Sequence, residues 1–186
     1  MHLNRVRIIG GQWRSRLLRF PDAQGLRPTP DRVRETVFNW LRQDLTGANC
    51  LDLFAGSGAL GFEAASRGAS RVVLVERDRA VAQALQANVA ILQASSVEVV
   101  RADAMQFLAQ DRRPYDVVFL DPPYLLWEHS RATLTVLLAG LTQHLAPGAR
   151  VYLESPDFPE LAPGWQALKR GRAGAVHYQL LEAEPT

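Results

Sequence analysis

Short apolar runs alternate along the chain with stretches in which apolar residues recur every third or fourth position, and the alternation begins near residue 50. Cys50–Phe54, Arg71–Glu76, Val97–Ala102, Tyr115–Leu120 and Arg150–Glu154 read as strands. Ala59–Arg67, Arg79–Leu92, Ala104–Gln110 and Ala132–Leu145 read as the helices between them. Strand–helix alternation predicts a mostly parallel sheet covered on both faces. Trp165–Arg170 and Ala175–Glu182 follow without an intervening helix, which predicts a closing antiparallel hairpin. Before residue 30 the pattern is broken by Gly10, Gly11, Pro21, Gly25 and Pro28, as expected for a hairpin and loops. A helix then starts at Thr29-Pro30-Asp31, with Thr29 able to cap it and Pro30 suited to its first turn. Val33, Val37, Trp40 and Leu41 carry its apolar face.

A chain of 186 residues with 47% hydrophobic and 22% charged residues is one soluble globular unit by these criteria. We divide it into a basic extension, 1–45, packed on a main domain, 46–186. No apolar run is long enough to span a bilayer, and the single cysteine, Cys50, fits a reducing compartment. The expectation is a cytoplasmic monomer. The net charge is only +2, but its placement is uneven. Arg5, Arg7, Arg14, Arg16, Arg19, Arg27, Arg32, Arg34 and Arg42 precede residue 43, opposed by Asp22, Asp31 and Glu35 alone. Arginine binds phosphate bidentately and stacks on bases, so this arm is an electrostatic footprint for a polyanion. Codon bias in a GC-rich genome explains an arginine excess equally well.

Asp52-Leu-Phe-Ala55-Gly56-Ser-Gly58-Ala-Leu-Gly61 joins a strand to a helix and contains G-x-G-x-x-G, with Glu76 about 20 residues on. Ligands of open α/β sheets bind at the carboxyl ends of the strands. A dinucleotide would set its pyrophosphate over the helix N-terminus. S-adenosylmethionine, which carries an ammonium and a sulfonium, suits carboxylates instead. Asp52, Glu76 and Asp103 follow three successive strands, with Ala55, Arg77 and Ala104 beside them, and this acidic rim fits S-adenosylmethionine better. The histidines His2, His129, His144 and His177 show no metal-ligand spacing, and no metal is expected.

The strand Tyr115–Leu120 ends in Asp121-Pro122-Pro123-Tyr124. Two prolines stiffen the exit from the sheet and remove two donors, leaving carbonyls at the rim. A carboxylate, a free carbonyl and an aromatic face suit a planar ring bearing an amino group. The amine donates to Asp121 and the Pro122 carbonyl, and the ring stacks on Tyr124.

The D-x-F-x-G-x-G loop and DPPY together resemble the class I adenosylmethionine-dependent amino-methyltransferases. RIIGGQWRSRLLRFP followed by GLRPTPDRVRETVFNWL is similar to the RsmD family, bacterial methyltransferases acting on the guanine N2 amine of small-subunit ribosomal RNA. The resemblance implies an α/β Rossmann-like fold with a seven-stranded sheet and a reversed last strand. It implies that Thr29 helps hold the methionine end of the cofactor. It also implies that the arm meets RNA, within a whole or partly assembled ribosomal particle; Arg7, Gly10, Gly11, Arg14, Arg16, Arg32, Arg34 and Asn39 are the candidate contacts. Asn39 is also a candidate to reach the active site. A DNA adenine-N6 methyltransferase and a binding module without catalysis are the rival readings.

Overall fold

The structure, a computed structural model, describes residues 3–23, 26–123 and 131–184. An antiparallel hairpin comes first, β1 (Leu3–Arg7) with β2 (Leu17–Pro21), then α1 (Asp31–Trp40). The main body runs β3 (Asn49–Asp52), α2 (Ala59–Ser66), β4 (Arg71–Glu76), α3 (Arg79–Leu92), β5 (Val97–Arg101), α4 (Ala104–Gln110) and β6 (Tyr115–Leu120). After it come α5 (Arg131–Leu141), β7 (Leu145–Ser155), β8 (Trp165–Ala173) and β9 (Val176–Ala183). The seven-stranded sheet has the order β5-β4-β3-β6-β7-β9-β8. β9 runs antiparallel to both β7 and β8 and is the one strand of the sheet that points opposite to the other six. The last strand is therefore the reversed one, inserted between β7 and β8 rather than lying at the edge.

One apolar layer unites the hairpin, α1, α2 and α3 with one face of the sheet, through residues such as Ile8, Phe20, Phe38, Phe62 and Leu85. The other face packs on α4 and α5 through Phe107, Leu108, Leu138 and Leu141. The extension is thus part of the core. Asn88 of α3 ties it down further: its side-chain amide accepts from the Arg19 N–H at 3.1 Å and donates to the Arg19 carbonyl at 2.9 Å.

Three boundaries differ from the sequence reading. Thr29 does not cap α1; Pro30 holds the cap position with no side-chain hydrogen bond, and the Thr29 carbonyl instead accepts from Arg34 Nε at 3.1 Å. The helix expected through Leu145 stops at Leu141, and Thr142–His144 tighten into a 3₁₀ turn. There Leu145 is already paired with Tyr115 of β6, so strand pairing overrides the helical period. The turn expected between Gly171 and Gly174 is shorter, because β8 continues to Ala173, paired with Val176.

Candidate active site

Of four adjacent strands, β4 and β3 end in Glu76 and Asp52, β6 is followed directly by Asp121, and β7 carries Glu154 one residue before its end. Strands lie about 4.8 Å apart, so this acidic row spans roughly 14 Å of the carboxyl rim. None of the four forms an ion pair with an arginine or lysine among the described residues. Like charges brought together and dehydrated oppose ionisation. Burial pushes Asp52 up to about 7, helped by the charge of Glu76 and opposed by N–H groups of Gly61 and Phe54. Asp121 keeps part of its surface exposed at the rim, but burial of its carboxyl, with the charges of Glu154 and Asp52, holds it well above the usual carboxylate range. Glu154 is raised by burial, although the Tyr152 hydroxyl donates to its Oε2 at 2.8 Å. Among the described residues no three carboxylate, histidine or cysteine groups converge as a metal site. A row of uncompensated carboxylates calls for an organic cation.

The glycine loop is built around the same acids. The Gly56 N–H donates to Glu76 Oε2 at 3.0 Å, while the Asp78 N–H donates to Oε1 at 2.8 Å. Gly58 leads into α2 with φ of 77°. The Gly61 N–H donates to Asp52 Oδ2 at 3.1 Å. A Cβ at Gly61 would lie 2.2 Å from Leu74 Cδ2, so glycine there lets α2 close on β4 and reach Asp52. Ala55 is buried and bonded to β4 through its N–H, 2.9 Å from the Val75 carbonyl. The segment before α1 borders this loop: Leu26 packs over Gly56, and Thr29 is buried three residues on.

Asp103 lies just past β5 and caps α4, accepting from the Met105 and Gln106 N–H groups at 2.9 and 3.3 Å. Its carboxylate keeps free lone pairs and is exposed. Ala104 is buried behind it and Arg77 is exposed beside Glu76. Pro122 is buried next to Asp121, and Pro123 is half-buried. Tyr124, like His2 and His129, lies outside the described residues.

The arm requires one correction. Arg34, expected on RNA, is fully buried. Its guanidinium donates to the Thr29 carbonyl, to the Arg7 carbonyl at 2.8 Å, to Asp31 at 2.6 Å and to Glu63 at 3.4 Å. Every edge of it is committed to the fold, so phosphate cannot reach it. Gly10 and Gly11 also dock on α2: the Gly10 N–H donates to Glu63 at 2.8 Å, and a Cβ on Gly11 would lie 1.8 Å from the Ser66 carbonyl, while Gly11 stays exposed. Glu63 is the hub, accepting also from the Ile9 N–H at 2.7 Å and Arg67 at 2.8 Å. It escaped the sequence reading, although a lone charge in the apolar helix ALGFEAAS signals a buried pair. Glu154 escaped it too, hidden in an apolar strand whose end had no motif.

Arg7, Arg14, Arg16 and Arg32 are exposed. Arg7 pairs with Asp31 at 3.0 Å, whereas Arg14 and Arg16 form no ion pair among the described residues. On the hairpin's outer face Arg5 stands directly across from Arg19. Such like-charge pairs oppose folding and favour a bound polyanion. Asn39 lines an open cleft of about 840 Å³ with Gly11, Arg14 and Ser66 at the C-terminal end of α2. The glycine loop is at the other end of that helix, about 12 Å away at 1.5 Å per residue. Asn39 therefore does not reach the active site.

Comparison with known proteins agrees with this geometry. The family model described as Conserved hypothetical protein 95 matches residues 6–182. The chain is 48% identical over 185 residues to Ribosomal RNA small subunit methyltransferase D of Escherichia coli (strain K12), covering 96% of this chain and 90% of that protein. It is 43% identical to the protein of the same name from Haemophilus influenzae, covering 95% and 93%. The solved structure of a putative methyltransferase, yhhF, from Escherichia coli superposes with a TM-score of 0.86 at 45% identity, covering 97% of this chain and 99% of that one. A match that runs from the arm through the glycine loop and DPPY to the reversed strand settles the affiliation: the chain belongs to the RsmD family.

Proposed function

We propose that the protein transfers the methyl group of S-adenosylmethionine to the exocyclic N2 amine of a guanine in small-subunit (16S) ribosomal RNA. The observation that carries this reading is the row Glu76, Asp52, Asp121 and Glu154, with no ion pair to an arginine or lysine among the described residues, beside a glycine loop. S-adenosylmethionine supplies an activated methyl group on a sulfonium, the organic cation such a row suits. Glu76 and Asp52 flank the loop that receives its nucleoside and methionine parts, with Asp103 available to the adenine amine and Thr29 to the methionine end. Asp121 and the Pro122 carbonyl accept the N–H groups of the guanine amine and hold its lone pair toward the methyl. Positioning of this kind lowers a barrier by up to about 7–11 kcal/mol. Acceptors fixed beside the developing ammonium add electrostatic stabilisation. We read residues 1–45 as an extension serving RNA, the substrate as a whole or partly assembled ribosomal particle, and the protein as a monomer. A ribosomal substrate implies the cytoplasm.

Transfer of tritium from labelled S-adenosylmethionine to small ribosomal subunits, naked ribosomal RNA and DNA, followed by nucleoside digestion, tests the reading. The expected product is N2-methylguanosine. Label recovered as N6-methyladenine would replace it with DNA methylation, and absence of label from all three would leave a binding module.

Glu76→Ala is expected to weaken S-adenosylmethionine binding roughly tenfold to a hundredfold, since hydrogen bonds to a charged group contribute about 1.5–3 kcal/mol. Its loss also frees the Gly56 N–H, so the loop loosens as the ribose partner goes. Unchanged affinity by calorimetry would remove Glu76 from the cofactor site.

Replacing Arg7, Arg14 and Arg16 together should weaken RNA binding and flatten its salt dependence, by about 0.7–0.9 in the log–log slope for each phosphate no longer neutralised. Among the described residues only Arg7 of the three has an ion pair to lose, an exposed one contributing about 0–1 kcal/mol, so the melting temperature should hardly move. A slope equal to that of the wild type would assign these arginines to solvated surface.

A further inference from the structure

Glu154 belongs to the acidic row but has no role of its own in methyl transfer as described above, and it is among the most buried carboxylates of the described residues, 9% exposed. Leu153 of β7 pairs with Leu120 of β6, so Glu154 stands level with Asp121 on the neighbouring strand. Both belong to the sheet face that carries Phe119 and Tyr152, because residues two apart on a strand share a face. Cross-strand neighbours have Cβ atoms about 4.5–5.5 Å apart. Among the described residues, the groups that face Glu154 do not neutralise it. Asp121 and, beyond it, Asp52 approach from β6 and β3. Tyr152 on its own strand donates one hydrogen bond. Tyr178 stands opposite on β9, with His177 one position further. On β8, Arg170 and Arg172 flank Gly171, the partner of Tyr178; Arg170 donates to the Gln179 side chain at 3.2 Å and Arg172 to the Gly174 carbonyl at 3.0 Å.

We propose that Glu154 and Asp121 act as one proton-sharing pair, and that binding of the cationic cofactor expels this proton so that Asp121 meets the substrate amine as a carboxylate. The proposal rests on the reading of the rim as an S-adenosylmethionine site. The balance is simple. The free pair holds one proton and a charge of −1. On binding a ligand with a sulfonium the pair becomes −2 and the proton goes to solvent. Two carboxyls this close titrate as a pair rather than as individual groups. Burial holds both groups above the usual range, and the charge of Glu154 adds to the rise at Asp121. S-adenosylhomocysteine lacks the sulfonium charge and gives the pair no reason to ionise. Glu154 is thus a positioning residue that acts through Asp121, and it makes the acceptor fully charged only when the methyl donor is in place.

Calorimetric titration of the intact protein with S-adenosylmethionine, in buffers of different ionisation enthalpy between about pH 5 and 9, reads the proton directly. The wild type should release a substantial fraction of one proton per S-adenosylmethionine and almost none per S-adenosylhomocysteine. Its affinity for the sulfonium ligand should rise with pH, by up to about tenfold per unit across the titration. Glu154→Gln keeps an acceptor for Tyr152 and should cut the release by at least half, leaving the background from Asp52. Glu154→Asp should restore it, and Asp121→Asn should lower it as Glu154→Gln does. The melting temperature of the ligand-free protein gives an independent reading. Carboxyls protonated in the folded state and ionised in the unfolded chain lose stability as pH rises, so the wild type should lose more than Glu154→Gln on going from acid to neutral pH. Equal proton release in wild type and Glu154→Gln would overturn the proposal, as would equal release with the two ligands. Failure of both ligands to bind the wild type would instead overturn the cofactor reading itself.

Discussion

Asp121→Asn should lower the single-turnover rate of methyl transfer by about 10²–10³-fold, the usual effect of removing one preorganised partner of developing charge. The amine needs an acceptor for its N–H, and its charge grows as the methyl arrives. Asparagine offers a weaker, uncharged acceptor and turns two donors toward a group that is itself a donor. An interaction that strengthens only as the reaction proceeds appears in kcat rather than in binding. S-adenosylmethionine affinity should therefore stay within about tenfold of the wild type. The pH profile carries a second expectation. Burial and the neighbouring charges of Glu154 and Asp52 hold the Asp121 carboxyl well above its ordinary range. The group must be ionised to accept, so kcat/KM for S-adenosylmethionine, which reports the free enzyme, should rise with pH along a limb placed higher than an ordinary aspartate would give. A variant that keeps more than half of the wild-type rate would remove Asp121 from the chemistry.

Glu63→Ala should be the most destabilising single change in the arm–core junction, by about 3–5 kcal/mol, because removing one partner of a buried pair strands the other. Glu63 is fully buried and holds Arg34, Arg67 and the N–H groups of Ile9 and Gly10. Its loss leaves a buried guanidinium without a carboxylate on that side, and two backbone donors without acceptors. For a chain of this size the shift in melting temperature should be on the order of 10 °C. Limited proteolysis should then cut first within the hairpin, whose anchor on α2 is gone. A melting point within about 2 °C of the wild type would show that water replaces these partners and that the hub is dispensable.

Much of the architecture was legible because local signals agreed with the tertiary outcome. Arg71–Glu76, Arg79–Leu92, Ala104–Gln110 and Tyr115–Leu120 have the bounds their periodicity predicts. Two of them open on their own chemistry: Asp78 caps α3 by accepting from the Val81 N–H, and Asp103 caps α4. Where a partner strand competed with the local period, the reading failed, as at Leu145, which leaves the helical pattern to pair with Tyr115.

What the sequence by itself determined is the chain of motifs at the strand ends: Asp52 before its glycines, Glu76 one strand on, and Asp121 before two prolines. Their positions follow from strand length and turn chemistry, which are local. What only the tertiary structure decided is which charges face water and which face one another. Arg34 looks like its exposed neighbour Arg32 in a run of arginines, yet it shares the buried stripe of Val33, Val37 and Phe38 and binds Glu63. Glu154 looks like the end of an apolar strand, and becomes part of the site only because β7 lies beside β6 in register. Electrostatic character depends on the dielectric around a group and on its nearest charges. Both are set by contacts between residues distant in sequence, so no window along the chain contains them.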